Sequence, residues 1–450
     1  MALLHSPGAC AAEAGPDPGP ERARPARAVE TFDAPNHGLV ADCSTDNSGA
    51  LAALLARAAT ASAAAGGQSE VRIPAASACY GFLSVVTVPA RVRVTGLGRP
   101  MLAALGRTGA LLRIKDASNV TLSGLRLDSR SAAHPTIAMP VSVSGASGVR
   151  LEEIELVNPT GEIHVTDSDN VTILSPVVTG SLLHGVLFSG VRDSAVVGGR
   201  FQNEVGFGII LKGGSHGNLV QGNRTTANGI ELVGVTEDSS GNRIIGNHAE
   251  GAGDNCISIS GSENIVQGNL AQGCQGNGIE VFGDRNLVVG NTARNNARGH
   301  AAQSGWRAGI AIQGGFGGVA QYNVVRGNIV DDDQAIPTQL YGIWLGRHMY
   351  QVWASGQPVP AGTYRYHGPN LYQAAVAGVT GTRPPDGREA ANDGGVTWRW
   401  IRSPADGTPL SDGNEVSGNV IARYGLGRCH DSSGGTHNQV VCRSGTPVPH

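Results

Sequence analysis

Residues 218–291 run NLVQGNRTTANGIELVGVTEDSSGNRIIGNHAEGAGDNCISISGSENIVQGNLAQGCQGNGIEVFGDRNLVVGN. The unit N-x-V/I-x-G-N punctuates this stretch at 218–223, 242–247, 264–269 and 286–291, and returns at 323–328 and 414–419. Successive first asparagines are therefore spaced 24, 22, 22, 37 and 91 residues. A second phrase lies between them: FGIIL (207–211), NGIEL (228–232), NCISI (255–259), NGIEV (277–281), AGIAI (308–312) and YGIWL (341–345). Each period thus holds two short alternating segments separated by Gly/Asn turns. Period-two alternation marks strands. One such coil cannot bury its apolar face alone, so the coils must stack. Stacked strands lie about 4.8 Å apart, and parallel crossovers are right-handed. The expected fold is all-β, a single-stranded right-handed parallel β-helix, or solenoid. Weaker coils extend it backwards at 111–127, 141–156, 163–174 and 186–199.

Two insertions break the period. The spacing of 37 places about 15 extra residues within 295–308, and that of 91 about 70 extra residues between 346 and 413. The expected organisation is a spacer tail over 1–30, a β-helix over 31–345 and 414–442, an inserted small β-rich module over 346–413, and a tail over 443–450. All five tryptophans and seven of the eight tyrosines follow residue 305, which suggests an aromatic wall beside the sheet.

The bulk numbers exclude several classes. Net charge is −3 over 450 residues, so nothing points to nucleic acid or an anionic membrane. No uninterrupted run approaches 18 apolar residues, so no transmembrane helix is expected. The 66 glycines lack the every-third-residue period of collagen. The seven cysteines form no zinc pattern. Cys429 and Cys442 are a candidate disulfide, Cys43 and Cys79 a weaker one, and Cys10 is the expected leftover thiol. This usage fits a secreted or extracellular protein.

A solenoid needs a cap over its terminal coil. Residues 46–65 supply an N-terminal capping helix, with Asp46 as N-cap, Leu51, Leu54 and Leu55 on one face, and Gly66-Gly67 as the stop. Strands VRIPA (71–75) and RVRVTGLG (91–98) follow. This segment resembles the N-terminal region shared by pectate-lyase-like β-helix enzymes and phage tailspike depolymerases, and the repeats resemble the same superfamily. The likeness covers roughly 30–345 and 414–442. It implies an extracellular protein acting on a polysaccharide or oligosaccharide, with substrate lying along one sheet, as a monomer or a homotrimer. Residues 372–400 also look like small β-rich modules of phage tail and bacterial surface proteins.

Candidate chemistry lies in the outward column of the second phrase, expected as His164, Leu187, Ile210, Glu231, Ser258, Glu280, Ala311 and Trp344. Glu231 and Glu280 flank Ser258 two coils apart, about 10 Å between backbones, and Asp254 lies in the coil between. Paired carboxylates of this kind serve as acid and base in glycoside hydrolysis, and crowding raises one pKa. GDNCISI (253–259) resembles the GDDC motif of polygalacturonases, with only Asp254 matching a family catalytic carboxylate. Asn228, Asn255 and Asn277 stand where that family has catalytic carboxylates and a histidine, and are expected to ladder structurally. Candidate substrate contacts are His184, Lys212, Trp306, Arg307, Tyr341 and Trp344: flat aromatic rings stack on sugars, and cations grip hydroxyl or acidic groups.

Three functions compete. The first is a glycoside hydrolase using Glu231, Asp254 and Glu280. The second is a lyase or epimerase on uronic-acid polymers, for which Ca²⁺ would be the one implied cofactor. The third is a non-catalytic glycan-binding surface or tail protein. Asp331-Asp332-Asp333 reads as a solvated turn rather than a metal site.

Overall fold

Valine, isoleucine and leucine at alternate positions of each period turn inward and stack in files. The file Ile163, Val186, Ile209, Val233, Ile257, Ile279, Ile310, Ile343 is wholly buried, and each member pairs with the next in parallel register. These relations come from a computed structural model that describes residues 30–106, 111–130, 139–236, 238–299, 308–314, 319–347, 353–367, 370–387, 389–402 and 411–444.

Among the described residues, twelve strands stack into the sheet that carries this file. They are β1 (Val86–Thr87), β2 (Leu112–Lys115), β3 (Val141–Ser144), β4 (Ile163–Thr166), β5 (Val186–Ser189), β6 (Ile209–Lys212), β7 (Val233–Val235), β8 (Ile257–Ile259), β9 (Ile279–Val281), β10 (Ala308–Gly314), β11 (Tyr341–Arg347) and β12 (Gly427–Asp431). The other strands of each coil pair in parallel to close the solenoid around one continuous apolar core.

The N-x-V/I-x-G-N units build two buried asparagine ladders at the turns. In one, the backbone N–H and Nδ2 of Asn247 both donate to Asn269 Oδ1, at 2.8 and 3.0 Å, and Asn269 repeats the arrangement on Asn291. The other runs Asn218, Asn242, Asn264, Asn286, Asn323, Asn414. Most of these Nδ2 groups also reach a carbonyl of the neighbouring coil, as Asn269 does on Ile244 at 2.8 Å. The amide thus satisfies backbone groups that a turn between parallel strands would leave unpaired.

Helix α1 (Ser48–Ala65) packs Leu51, Leu54, Leu55 and Ala58 over the first coil, against strands Ser69–Pro74 and Val92–Leu97. By length and composition it is apolar enough to cross a membrane, contrary to the expectation from unbroken apolar runs, and here it serves as the cap. Its N-cap residue is Asn47 rather than Asp46. Asp46 instead accepts from the backbone N–H and hydroxyl of Ser48, at 2.9 and 2.6 Å, and from Leu83 N–H. Gly66, left-handed at φ 70°, closes the helix by donating to Ser62.

The disulfides are Cys43–Cys79, Cys429–Cys442 and a third that the spacing did not reveal, Cys256–Cys274. Cys10 lies outside the described residues. Within the inserted segment, Tyr364–His367, Asn370–Val376, Ala391–Asp393 and Val396–Arg402 form a four-stranded antiparallel sheet. Where an aromatic wall beside the β-helix was expected, two aromatics of this segment turn inward. Tyr372 and Trp398 are fully buried in the insertion's own small core, flanked by Trp353 and Trp400. A four-stranded sheet needs such a core because it has one apolar face to cover.

Candidate active site

The register of the twelve-stranded sheet differs from the expected outward column at one place. Ser142, His164, Leu187, Ile210, Gly234, Ser258, Glu280, Ala311 and Trp344 are Cα partners in succession. Gly234, not Glu231, stands between Ile210 and Ser258. Glu231 lies two residues before the inward Val233, level with Asn255 and Asn277, which precede Ile257 and Ile279 by the same two residues.

The side chain nevertheless restores what the backbone moved. Glu231 Oε2 lies over Gly234, where an added Cβ would sit 3.1 Å from that oxygen and 2.6 Å from Phe207 Cε1. Glycine at 234 is thus the seat of the Glu231 carboxyl. Ser258 and Asn255 hydrogen-bond it, and the charges of Asp254 and Glu280 lie close. Burial, then Asp254, then Glu280 raise its pKa well above the usual carboxylate range, against the two hydrogen bonds. The three carboxyl groups expected together are together.

Glu280 is 1% exposed. Asn255 Nδ2 donates to its Oε2 at 2.6 Å, and Asn277 Nδ2 and Gln313 Nε2 donate to its Oε1 at 3.0 and 2.8 Å. Asn255 Oδ1 accepts the Asn277 backbone N–H at 2.8 Å, and Asn277 Oδ1 that of Ala308 at 2.9 Å. Asn255 and Asn277 are therefore a ladder as expected, and also the clamp on Glu280. Asn228 belongs to another file, where its Oδ1 accepts from Glu204 N–H. Asp254 is half-buried, next to the clamp, and its backbone is tied down by the Cys256–Cys274 bridge two residues on.

The remaining candidates divide. His184 and Lys212 lie on the same outer face, on the two coils before Glu231. Phe207, which the sequence reading passed over, stands between His184 and Glu231 on that face, its ring 5.4 Å from the His184 ring. Trp344, expected to meet substrate, is instead a packing residue. It is buried against Ala308 and Ala311, and its Nε1 donates to Ser432 Oγ at 3.0 Å. Tyr341 is half-buried, stacked at 4.6 Å on His430. Trp306 and Arg307 lie outside the described residues. Asp331 accepts Arg423, Asp332 the backbone N–H groups of Thr338 and Gln339, and Asp333 Arg294 and Asn295. Among the described residues, no three His, Cys, Asp or Glu converge as a metal site.

Two shallow grooves of ≈ 420 and ≈ 500 Å³ open on another side of the solenoid, lined in part by Arg200 and Arg224, and by Glu250 and Arg294. None of the candidate residues lines them.

A family described as right handed beta helix region matches residues 140–297. This chain is a right-handed parallel β-helix. The A-module of Azotobacter vinelandii mannuronan C-5 epimerase AlgE6 superposes with a TM-score of 0.68 at 15% identity, covering 93% of this chain and 100% of that one. DFA-IIIase from Arthrobacter chlorophenolicus gives 0.56 at 13%, covering 71% and 92%. The Dettilon tailspike protein gives 0.55 at 13%, covering 78% and 79%. No curated protein matches the sequence.

Proposed function

We propose that this β-helix is a secreted, glycan-active enzyme that hydrolyses glycosidic bonds on the outer face of the twelve-stranded sheet. The observation that carries the reading is the Glu231 carboxyl, folded over Gly234 among Ser258, Asn255, Asp254 and Glu280. A carboxyl whose proton affinity is raised by burial and by neighbouring charge is suited to act as a general acid. Glu231 gives its proton to the glycosidic oxygen as the bond to the anomeric carbon breaks. A water oxygen adds to that carbon, and its proton passes to Asp254. Glu280, buried and engaged by three amides, sets the frame rather than touching substrate, and its charge keeps Glu231 protonated. A mannuronan epimerase module with the same fold supports a polysaccharide ligand, and three disulfides support an extracellular setting.

The test is a panel of neutral and acidic polysaccharides, read for new reducing ends and for ultraviolet absorbance of unsaturated uronide. Reducing ends without that absorbance are expected, abolished in Glu231→Gln and Asp254→Asn with unchanged melting temperature. Unsaturated product would replace hydrolysis by elimination. Full activity in both variants would remove the site.

A further inference from the structure

Glu162 immediately precedes β4 on the same sheet and is 1% exposed. Its Oε1 lies 2.8 Å from His164 Nδ1, and its Oε2 is buried with no hydrogen-bond partner among the described residues. A buried carboxylate oxygen left unpartnered is destabilising. A leucine or glutamine would cap this coil at less cost, so the carboxylate serves something beyond packing. It fixes the His164 ring. With Nδ1 donating to Oε1, the neutral tautomer leaves Nε2 as an acceptor on a side chain 24% exposed.

On the next coil the polarity is reversed. His184 Nδ1 accepts the Phe207 backbone N–H at 3.0 Å, so the neutral ring carries its proton on Nε2. Burial lowers its proton affinity, Lys212 and His164 add to this, and Glu162 opposes it. Lys212 is half-buried at the end of β6, and its ammonium has no ion pair or hydrogen bond with the described residues. Phe207 then separates this group from Glu231, which lies two coils from His184, about 10 Å along the stack.

We propose that Glu162, His164, His184 and Lys212 form a sugar-binding subsite that holds one glycosyl unit by its hydroxyl groups and so places the next bond at Glu231. A sugar hydroxyl both donates and accepts. A neighbouring pair satisfies the His164 acceptor and the His184 and Lys212 donors together, with the apolar sugar face on Phe207. A bare anion would use Lys212 alone and meet the Glu162 charge. His164 touches the sugar, and Glu162 is the positioning residue that acts through it. The subsite rests on the glycan reading above.

The full chain carrying Glu231→Gln is titrated calorimetrically with hexasaccharides of cellulose, mannan and polygalacturonate at low and high salt. A neutral hexasaccharide is expected to bind with little salt dependence, tenfold or more weaker in His164→Ala and several-fold weaker in Lys212→Ala. Glu162→Gln is expected to match the loss in His164→Ala and to move the His164 imidazole nitrogen resonances, with the melting temperature retained. Unchanged binding in both His164→Ala and Lys212→Ala overturns the subsite. So does an absence of binding, or binding by polygalacturonate alone that salt abolishes and only Lys212 supports. If Glu231→Gln keeps wild-type turnover while His164→Ala loses binding, the hydrolytic assignment falls and the subsite stands.

Discussion

Glu231 and Glu204 are both held where charge is unfavourable, and they make opposite use of it. Glu231 opens to the outer face beside two other carboxylates, so its retained proton is available to a ligand. The activity should therefore persist to higher pH than an ordinary carboxyl acid would allow. Replacing Glu280 by glutamine removes one of the charges that keep that proton. The alkaline limb of the pH–rate profile in Glu280→Gln is then expected to move to lower pH. An unmoved limb would mean that burial and Asp254 set the Glu231 pKa without help from Glu280.

Glu204 is buried inside the turn that precedes Phe207, with Oε1 accepting Gln202 N–H at 2.9 Å and Oε2 unpartnered among the described residues. Burial pushes its pKa from 4.5 up to about 8, against the hydrogen bonds of its own N–H, of Gln202 and of Asn228. The folded state thus holds this proton more tightly than the unfolded chain. Its contribution to stability is full below about pH 4.5, falls as pH rises towards 8, and is constant above that. Glu204→Gln keeps the shape without the titration. The stability gap between variant and parent should widen from pH 5 to pH 8 in favour of glutamine, on the order of 4 kcal/mol by linkage. Urea denaturation at both pH values checks it. A gap that is flat with pH would show the carboxyl already deprotonated in the fold.

At the scale of one coil, the asparagine ladders were legible and the outward column was legible except at one rung. N-x-V/I-x-G-N recurs because a buried amide must bridge successive turns, and that need writes the same residue at each period. Asn269→Ala removes bonds to Asn247, Asn291 and Ile244 in a dry turn. It should cost about 3 kcal/mol, read as a lower denaturation midpoint. The misplaced rung came from a look-alike phrase. NGIEL (228–232) copies the letters of NGIEV (277–281), yet it forms the turn before β7. The inward residue stands nine positions before the ladder asparagine in the 24-residue coils (Ile209 to Asn218, Val233 to Asn242) and seven in the shorter ones (Ile257 to Asn264). Counting from the asparagines, rather than matching letters, would have placed Gly234 in the column. Phe207, Glu162 and Glu204 escaped the reading for a related reason. They precede the repeated phrase or occur in one coil only, so periodicity gives them no signal, and their importance lies in burial and partners that only the fold supplies.

At the scale of the molecule, a solenoid is a row of coils in which each contacts only its neighbours, so stability is local and the ends are vulnerable. The N-terminal end was readable because a cap has its own grammar: a helix with one leucine face and a glycine stop. The Cys256–Cys274 bridge was not, because its two cysteines approach only when the turn folds back beneath β8. The row geometry separates two kinds of damage. Leu55 is fully buried on the inner face of α1, so Leu55→Asp sets a charge against the first coil and lifts the helix from it. The loss should be at least the 2–5 kcal/mol of a large core truncation, and it should stay at that end. Hydrogen exchange is expected to speed up in Ser69–Pro74 and Val92–Leu97 while the amides of β8 and β9 keep their protection. The uncovered strand edges should then pair between molecules, seen as concentration-dependent association in light scattering. Equal loss of protection at both places would mean that the coils unfold as one unit and that the cap stabilises the whole row.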